Sequence, residues 1–141
     1  MEATVLRPHA DTVAFEVAAE AHRCSGGPSL LFQASDERGN GVLVVLRRSD
    51  SVATGAFPLI ALGDSLTPRG ANVAVRYMMG DVAHGVSLDS GSVDLTTSGD
   101  AMGVQVRGSG LESGVRVAVD ATYAGVPLPS RGDTVPCRYM P

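Results

Sequence analysis

Between residues 92 and 124 apolar side chains recur at every second position. Val93, Leu95, Val104, Val106, Val115, Val117, Val119, Ala121 and Tyr123 share one face. Asp94, Thr96, Gln105, Arg107, Arg116, Asp120 and Thr122 share the other. A period of two marks strands with one buried and one wet face. Residues 85–128 therefore read as a three-stranded antiparallel meander. Gly99-Asp100 suits a two-residue hairpin loop, because glycine accepts the positive φ at the first position of a type II′ turn. That loop pairs Leu95 with Val104 and Val93 with Val106. The second turn, taken as residues 110–114, allows two registers of the correct parity. One sets Arg107 against Arg116, a destabilising like-charge pair. The other sets Gln105 against Asp120, with Arg107 diagonal to Asp120, and is the expected one.

Upstream, Val13, Phe15 and Val17 alternate before the chain turns Ala-rich. Residues 12–24 are expected to form one long, bent strand ending at Cys24 rather than a helical turn at AAEAH. The apolar runs 29–35 (SLLFQAS) and 42–48 (VLVVLRR) flank the hairpin connector DERGNG. Gly55 and Pro58 restrict any strand in 51–62 to a short or edge position. Residues 64–71 read as a loop, 72–80 as a central strand and 85–88 as a short strand. Residues 1–11 and 129–141 read as loop-like termini. About eight or nine short strands without helical periodicity predict an all-β single domain over 1–141, an antiparallel β-sandwich or flattened barrel.

Composition narrows this further. The chain is 44% hydrophobic and 18% charged, which fits a packed domain rather than disorder. Aromatics make up 4% and Trp is absent, so small branched side chains must fill the core. Net charge is -4, and all 11 bases are scattered arginines. That pattern gives no electrostatic footprint for nucleic acid or an anionic membrane. No apolar run reaches the length of a membrane span. The opening MEATVLRPHADT carries no signal peptide, so the expectation is a cytosolic protein or one whose signal was removed earlier. Cys24 and Cys137 either form a disulfide or are two unrelated buried thiols.

Several short motifs carry chemical associations. Gly63-Asp64-Ser65-Leu66 has the letters of the GDSL esterase nucleophile block, and Asp81-Val-Ala-His84 those of its Asp-x-x-His block. A serine nucleophile needs a histidine base, and the base needs an orienting carboxylate. Ser65, His84 and Asp81 are thus the candidates for a minimal serine esterase. The blocks lie one strand apart, and that family's oxyanion-hole blocks are missing between them. A turn reading is simpler. The glycines of GSGLESG (108–114) precede a strand, not the helix a phosphate loop must open, and read as hairpin glycines. DERGNG places Arg38 where a calcium loop wants an oxygen. Arg131-Gly132-Asp133 reads as a turn. His9, His22 and His84 have no metal-ligand spacing. Ser65, Ser90 and Ser92 read as turn hydroxyls. No cofactor or metal is expected.

One resemblance covers almost the whole chain. Cys24, LLFQAS, VLVVLRR, Gly55-Ala56-Phe57-Pro58, VAVRYMM, Ser90-Gly91-Ser92-Val93, Arg107-Gly108-Ser109-Gly110, Ala121-Thr122-Tyr123 and Cys137 carry it. In these motifs the chain resembles a group of bacterial exported proteins, often lipoproteins, built as small β-domains with a terminal disulfide. The resemblance implies an extracytoplasmic β-sandwich with a Cys24–Cys137 bridge, and it implies no activity. The expected function is a non-enzymatic binding or structural module of the bacterial cell envelope. Its partner is left open between a protein and a small apolar ligand, with neither nucleic acid nor membrane insertion expected. The alternative is the esterase, and a further alternative is a β-domain that binds a small apolar ligand between its sheets.

Overall fold

The computed structural model describes residues 1–8, 12–48, 54–61, 64 and 66–137. Among them the strands are β1 (Glu2–Leu6), β2 (Val13–Glu16), β3 (Ala19–Cys24), β4 (Leu30–Ser35), β5 (Gly41–Arg47) and β6 (Gly55–Pro58). They continue with β7 (Gly70–Met79), β8 (Val82–Ser87), β9 (Ser90–Ser98), β10 (Ala101–Glu112), β11 (Val115–Pro127) and β12 (Thr134–Val135). One six-stranded sheet has the order β2-β1-β11-β10-β9-β6, and the other β12-β3-β4-β5-β7-β8. The sheets pack face to face as a β-sandwich, and among the described residues no barrel closes.

The β9–β10–β11 meander forms as its alternation requires. Val93, Leu95, Val104, Val106, Val117, Val119, Ala121 and Tyr123 are buried in the main core. Gly99 has a φ of 62°, and Leu95 pairs with Val104 and Val93 with Val106. The second hairpin differs from both expected registers. Arg107 faces Asp120 directly, at 3.6 Å between charged groups, and Gln105 faces Thr122. The strands run on to Glu112 and Val115, and Ser113 (φ 50°) and Gly114 (φ 81°) make the turn. Positive φ at both central residues is what a type I′ turn needs.

That leaves Gly108 and Gly110 inside β10 rather than in a loop. A Cβ on Gly110 would lie 2.1 Å from the Ser87 carbonyl oxygen, and one on Gly108 2.5 Å from that of Ser90. The two glycines let the chain cross from one sheet to the other between β8 and β9. The crossing is fixed by hydrogen bonds from Leu88 N to Val73 O and from Asp89 N to Ser109 O.

Two expectations near the N-terminus are corrected. Residues 2–6 are not loop-like: β1 lies inside the first sheet between β2 and β11 and buries Ala3 and Val5. Residues 12–24 are not one strand. β2 belongs to the first sheet and β3 to the second, and the chain changes sheet after Val17, whose amide bonds the Met1 carbonyl. The tail also holds the short strand β12, parallel to β3. Across the sandwich, Phe32 meets Tyr123 edge-on at 5.7 Å, and the Tyr123 hydroxyl donates to the Val42 carbonyl at 2.7 Å.

Candidate functional site

A polar cluster stands at one end of the core, on strand positions whose parity points inward. β7 and β8 are joined at Gly80-Asp81, so Tyr77 and His84 stand opposite each other. Their rings stack at 5.3 Å with 16° between planes. Glu112, the last residue of β10, reaches them from the other sheet. Tyr77 donates its hydroxyl to Glu112 Oε1 at 2.6 Å, and His84 Nδ1 lies 2.8 Å from Oε2. Arg7, just past β1, brings a guanidinium nitrogen to 3.5 Å from the same oxygen and another to 3.2 Å from Met79 Sδ. Arg7 Nε is buried without a hydrogen-bond partner among the described residues.

Burial raises the pKa of the Glu112 carboxyl, but hydrogen bonds from Tyr77 and His84 and the Arg7 charge outweigh it. The net direction is below the usual carboxylate range. Desolvation, followed by the neighbouring Glu112, pushes the Tyr77 phenol up. An ionised Glu112 only accepts, so His84 donates to it from Nδ1. A carboxylate-oriented imidazole is the arrangement of a general base, yet a catalytic base also needs a substrate group to act on.

Beside this cluster, an open trough of about 850 Å³ crosses the outer face of the second sheet. Its lining includes Gln33, Leu43, Ala74, Arg76, Gly85 and His84. Arg76 is exposed between Gly41 and Gly85, its cross-strand neighbours. Two glycines beside one arginine leave the sheet surface concave around its stem. Arg76 has no ion pair or hydrogen bond among the described residues. A smaller hollow of about 400 Å³ lies over β9–β11, lined by Thr96, Gln105 and Thr122 among others.

The sequence candidates fall in different places. Ser65 and His9 lie outside the described residues. Asp81 is exposed in the β7–β8 turn and does not orient His84; Glu112 does. Asp64 accepts hydrogen bonds from the amides of Leu66 and Thr67 and from the Thr67 hydroxyl, which hold its carboxyl down at about 2. Asp64 also lies 4.0 Å from Arg47, which pairs with Gly70 at the start of β7. His84 pairs with Tyr77 near the other end of that strand, roughly 23 Å along at about 3.3 Å per residue. Ser90 and Ser92 are β9 residues facing Ser109 and Arg107. Asp36 accepts hydrogen bonds from the Arg38 and Asn40 amides in its own turn. Cys24 and Cys137 form a disulfide with Cα atoms 5.2 Å apart. His22 lies on the outer face of the second sheet, with Nδ1 2.6 Å from Asp133.

Tyr77, Glu112, Arg7 and Arg76 were not singled out from the sequence. A signal existed for Glu112 and Arg7: each continues the inward parity of an apolar strand.

The architecture is that of a two-sheet β-sandwich with its C-terminal tail covalently tied to the third strand. The chain matches no protein-family model, no curated protein and no solved structure.

Proposed function

We propose that this chain is a non-enzymatic binding module of the bacterial cell envelope, working outside the cytoplasm. Its ligand would be a small, partly apolar molecule or peptide side group bearing an anion, seated in the trough around Arg76. The observation that carries this reading is Arg76, without an ion pair or hydrogen bond among the described residues, in a concavity floored by Leu43, Ala74 and Gly85. An exposed guanidinium offers a fork of donors to a carboxylate, and the apolar floor offers burial. The disulfide supports the compartment, because such bonds persist in oxidising surroundings. The Tyr77–Glu112–His84–Arg7 cluster then acts as a brace between the sheets that fixes one end of the trough.

The test is an amide NMR titration with octanoate and phenylacetate, two carboxylates of different apolar shape. Shifts should cluster on Gly41, Ala74 and Gly85 and vanish in Arg76→Gln. Gly85→Leu should block the trough without disturbing the fold, since a Cβ there meets only the Val75 carbonyl oxygen, at 3.8 Å. Absence of shifts at those amides with both probes, or shifts confined to residues between the sheets, would overturn the trough as the site.

A further inference from the structure

We propose that the C-terminal segment 129–137 is a thiol-releasable strap, a cover over the β3 edge that can open while the sandwich stays folded. Among the described residues, the hydrogen bonds and the covalent tie that hold the strap to the rest of the chain fall on or beside β3. Arg23 N bonds the Asp133 carbonyl and Ser25 N bonds the Val135 carbonyl, each at 2.9 Å. Arg23 Nε reaches the carbonyls of Pro129 and Ser130 at 3.3 and 3.2 Å. His22 holds the Asp133 side chain, and Cys24 holds Cys137 covalently.

What lies under the strap is separate from the main core. Cys24, Leu31 and Val45 are buried on the outer face of the second sheet, packed against Leu43, Val135 and Cys137. The main core takes its residues from Met1 to Val126 and none from the strap. The strap therefore adds no residue to the main core, although Pro129 at its start is itself buried. Removing the strap would uncover Leu31 and Val45 and leave β3 as an unpaired edge, a surface able to accept another extended chain.

The opening chemistry is thiol–disulfide exchange. Cys24 is 6% exposed whereas Cys137 is half-buried, so Cys137 is the more accessible residue of the pair. A thiolate from a small dithiol attacks Cys137 Sγ, and the Cys24 thiolate leaves and takes a proton. The second thiol of the reagent then attacks the mixed disulfide. The Cys137 thiol is freed and the reagent departs oxidised to its own disulfide. The two electrons gained by the protein come from the dithiol.

Hydrogen exchange on the intact chain, with and without dithiothreitol, tests this. Reduction should accelerate exchange of the Arg23 and Ser25 amides about tenfold or more, while β5 and β7 amides keep their rates. Cys137→Ser should reproduce that pattern without reductant. The proposal is overturned if β5 and β7 amides accelerate in step with Arg23 and Ser25, because the bond is then a staple of the whole fold. It is equally overturned if Arg23 and Ser25 keep their protection on reduction. Neither result depends on ligand binding in the trough.

Discussion

Tyr77 in one sheet donates its buried hydroxyl to Glu112 in the other, at 2.6 Å. The bond joins the β7–β8 hairpin to the tip of the β10–β11 hairpin, and His84 and Arg7 complete the carboxylate's surroundings. A buried carboxylate with hydrogen-bonded partners is tolerable, whereas one stripped of them is not.

Tyr77→Phe removes one charge-assisted hydrogen bond and should destabilise the domain by about 1.5–3 kcal/mol in urea titration. Glu112→Ala leaves Tyr77 and Arg7 without their acceptor and should cost more, about 3–5 kcal/mol. The pH dependence carries its own sign. The folded pKa of Glu112 lies below the usual value, so its contribution is complete above the unfolded pKa. It is lost as pH falls through the folded pKa, and Glu112→Gln should flatten that acid limb of a stability profile.

His22 behaves oppositely. Its hydrogen bond with Asp133 raises the imidazole pKa, desolvation opposes this, and Glu20 at 3.5 Å adds to the rise. Gln33 is its uncharged neighbour on β4. The pair's stabilisation is full below the unfolded pKa and is lost as pH rises through the folded one. An NMR titration should place His22 above about 6.5, the ordinary imidazole value, with Asp133→Asn moving it back down.

Gly110 and Gly85 should respond differently to alanine. A Cβ on Gly110 meets the Ser87 carbonyl at 2.1 Å, so Gly110→Ala must displace backbone at the crossing between sheets. A loss of about 1–3 kcal/mol or more is expected in thermal or urea unfolding. Gly85→Ala has space and should be neutral or stabilising by roughly 0.5–1 kcal/mol, as alanine is the stiffer residue in a strand.

Much of the fold was legible because alternation survives wherever one sheet face is buried. Val93 to Tyr123 identified three strands, and Gly99-Asp100 set one register correctly. The second register was not legible because Gly110 has the residue type of a turn, although its missing side chain serves a close crossing with Ser87. The split between β2 and β3 was hidden because no Gly or Pro marks Val17-Ala18. The short β1 was overlooked although Ala3 and Val5 alternate. The site was harder to read. His84 meets a carboxylate 28 residues away, which only the sheet topology selects over nearby Asp81. Arg76 stands out only once Gly41 and Gly85 are known to flank it. Cys24 and Cys137 were legible as a possible pair, but the parallel β12 that brings them together was not.

Cys137→Ser should destabilise less than the roughly 4–5 kcal/mol of a closed loop of this length. The freed tail regains entropy in the folded state, which offsets part of the loss. Urea midpoints of the oxidised protein and the variant measure the difference.

The most direct measurement is the intact mass of the protein from its native compartment, after denaturing alkylation without reductant. The account predicts no label on Cys24 or Cys137 and a mass two hydrogens below the reduced chain. Full labelling of both cysteines would contradict it, removing the covalent tie on the tail together with the support for a module that works outside the cytoplasm.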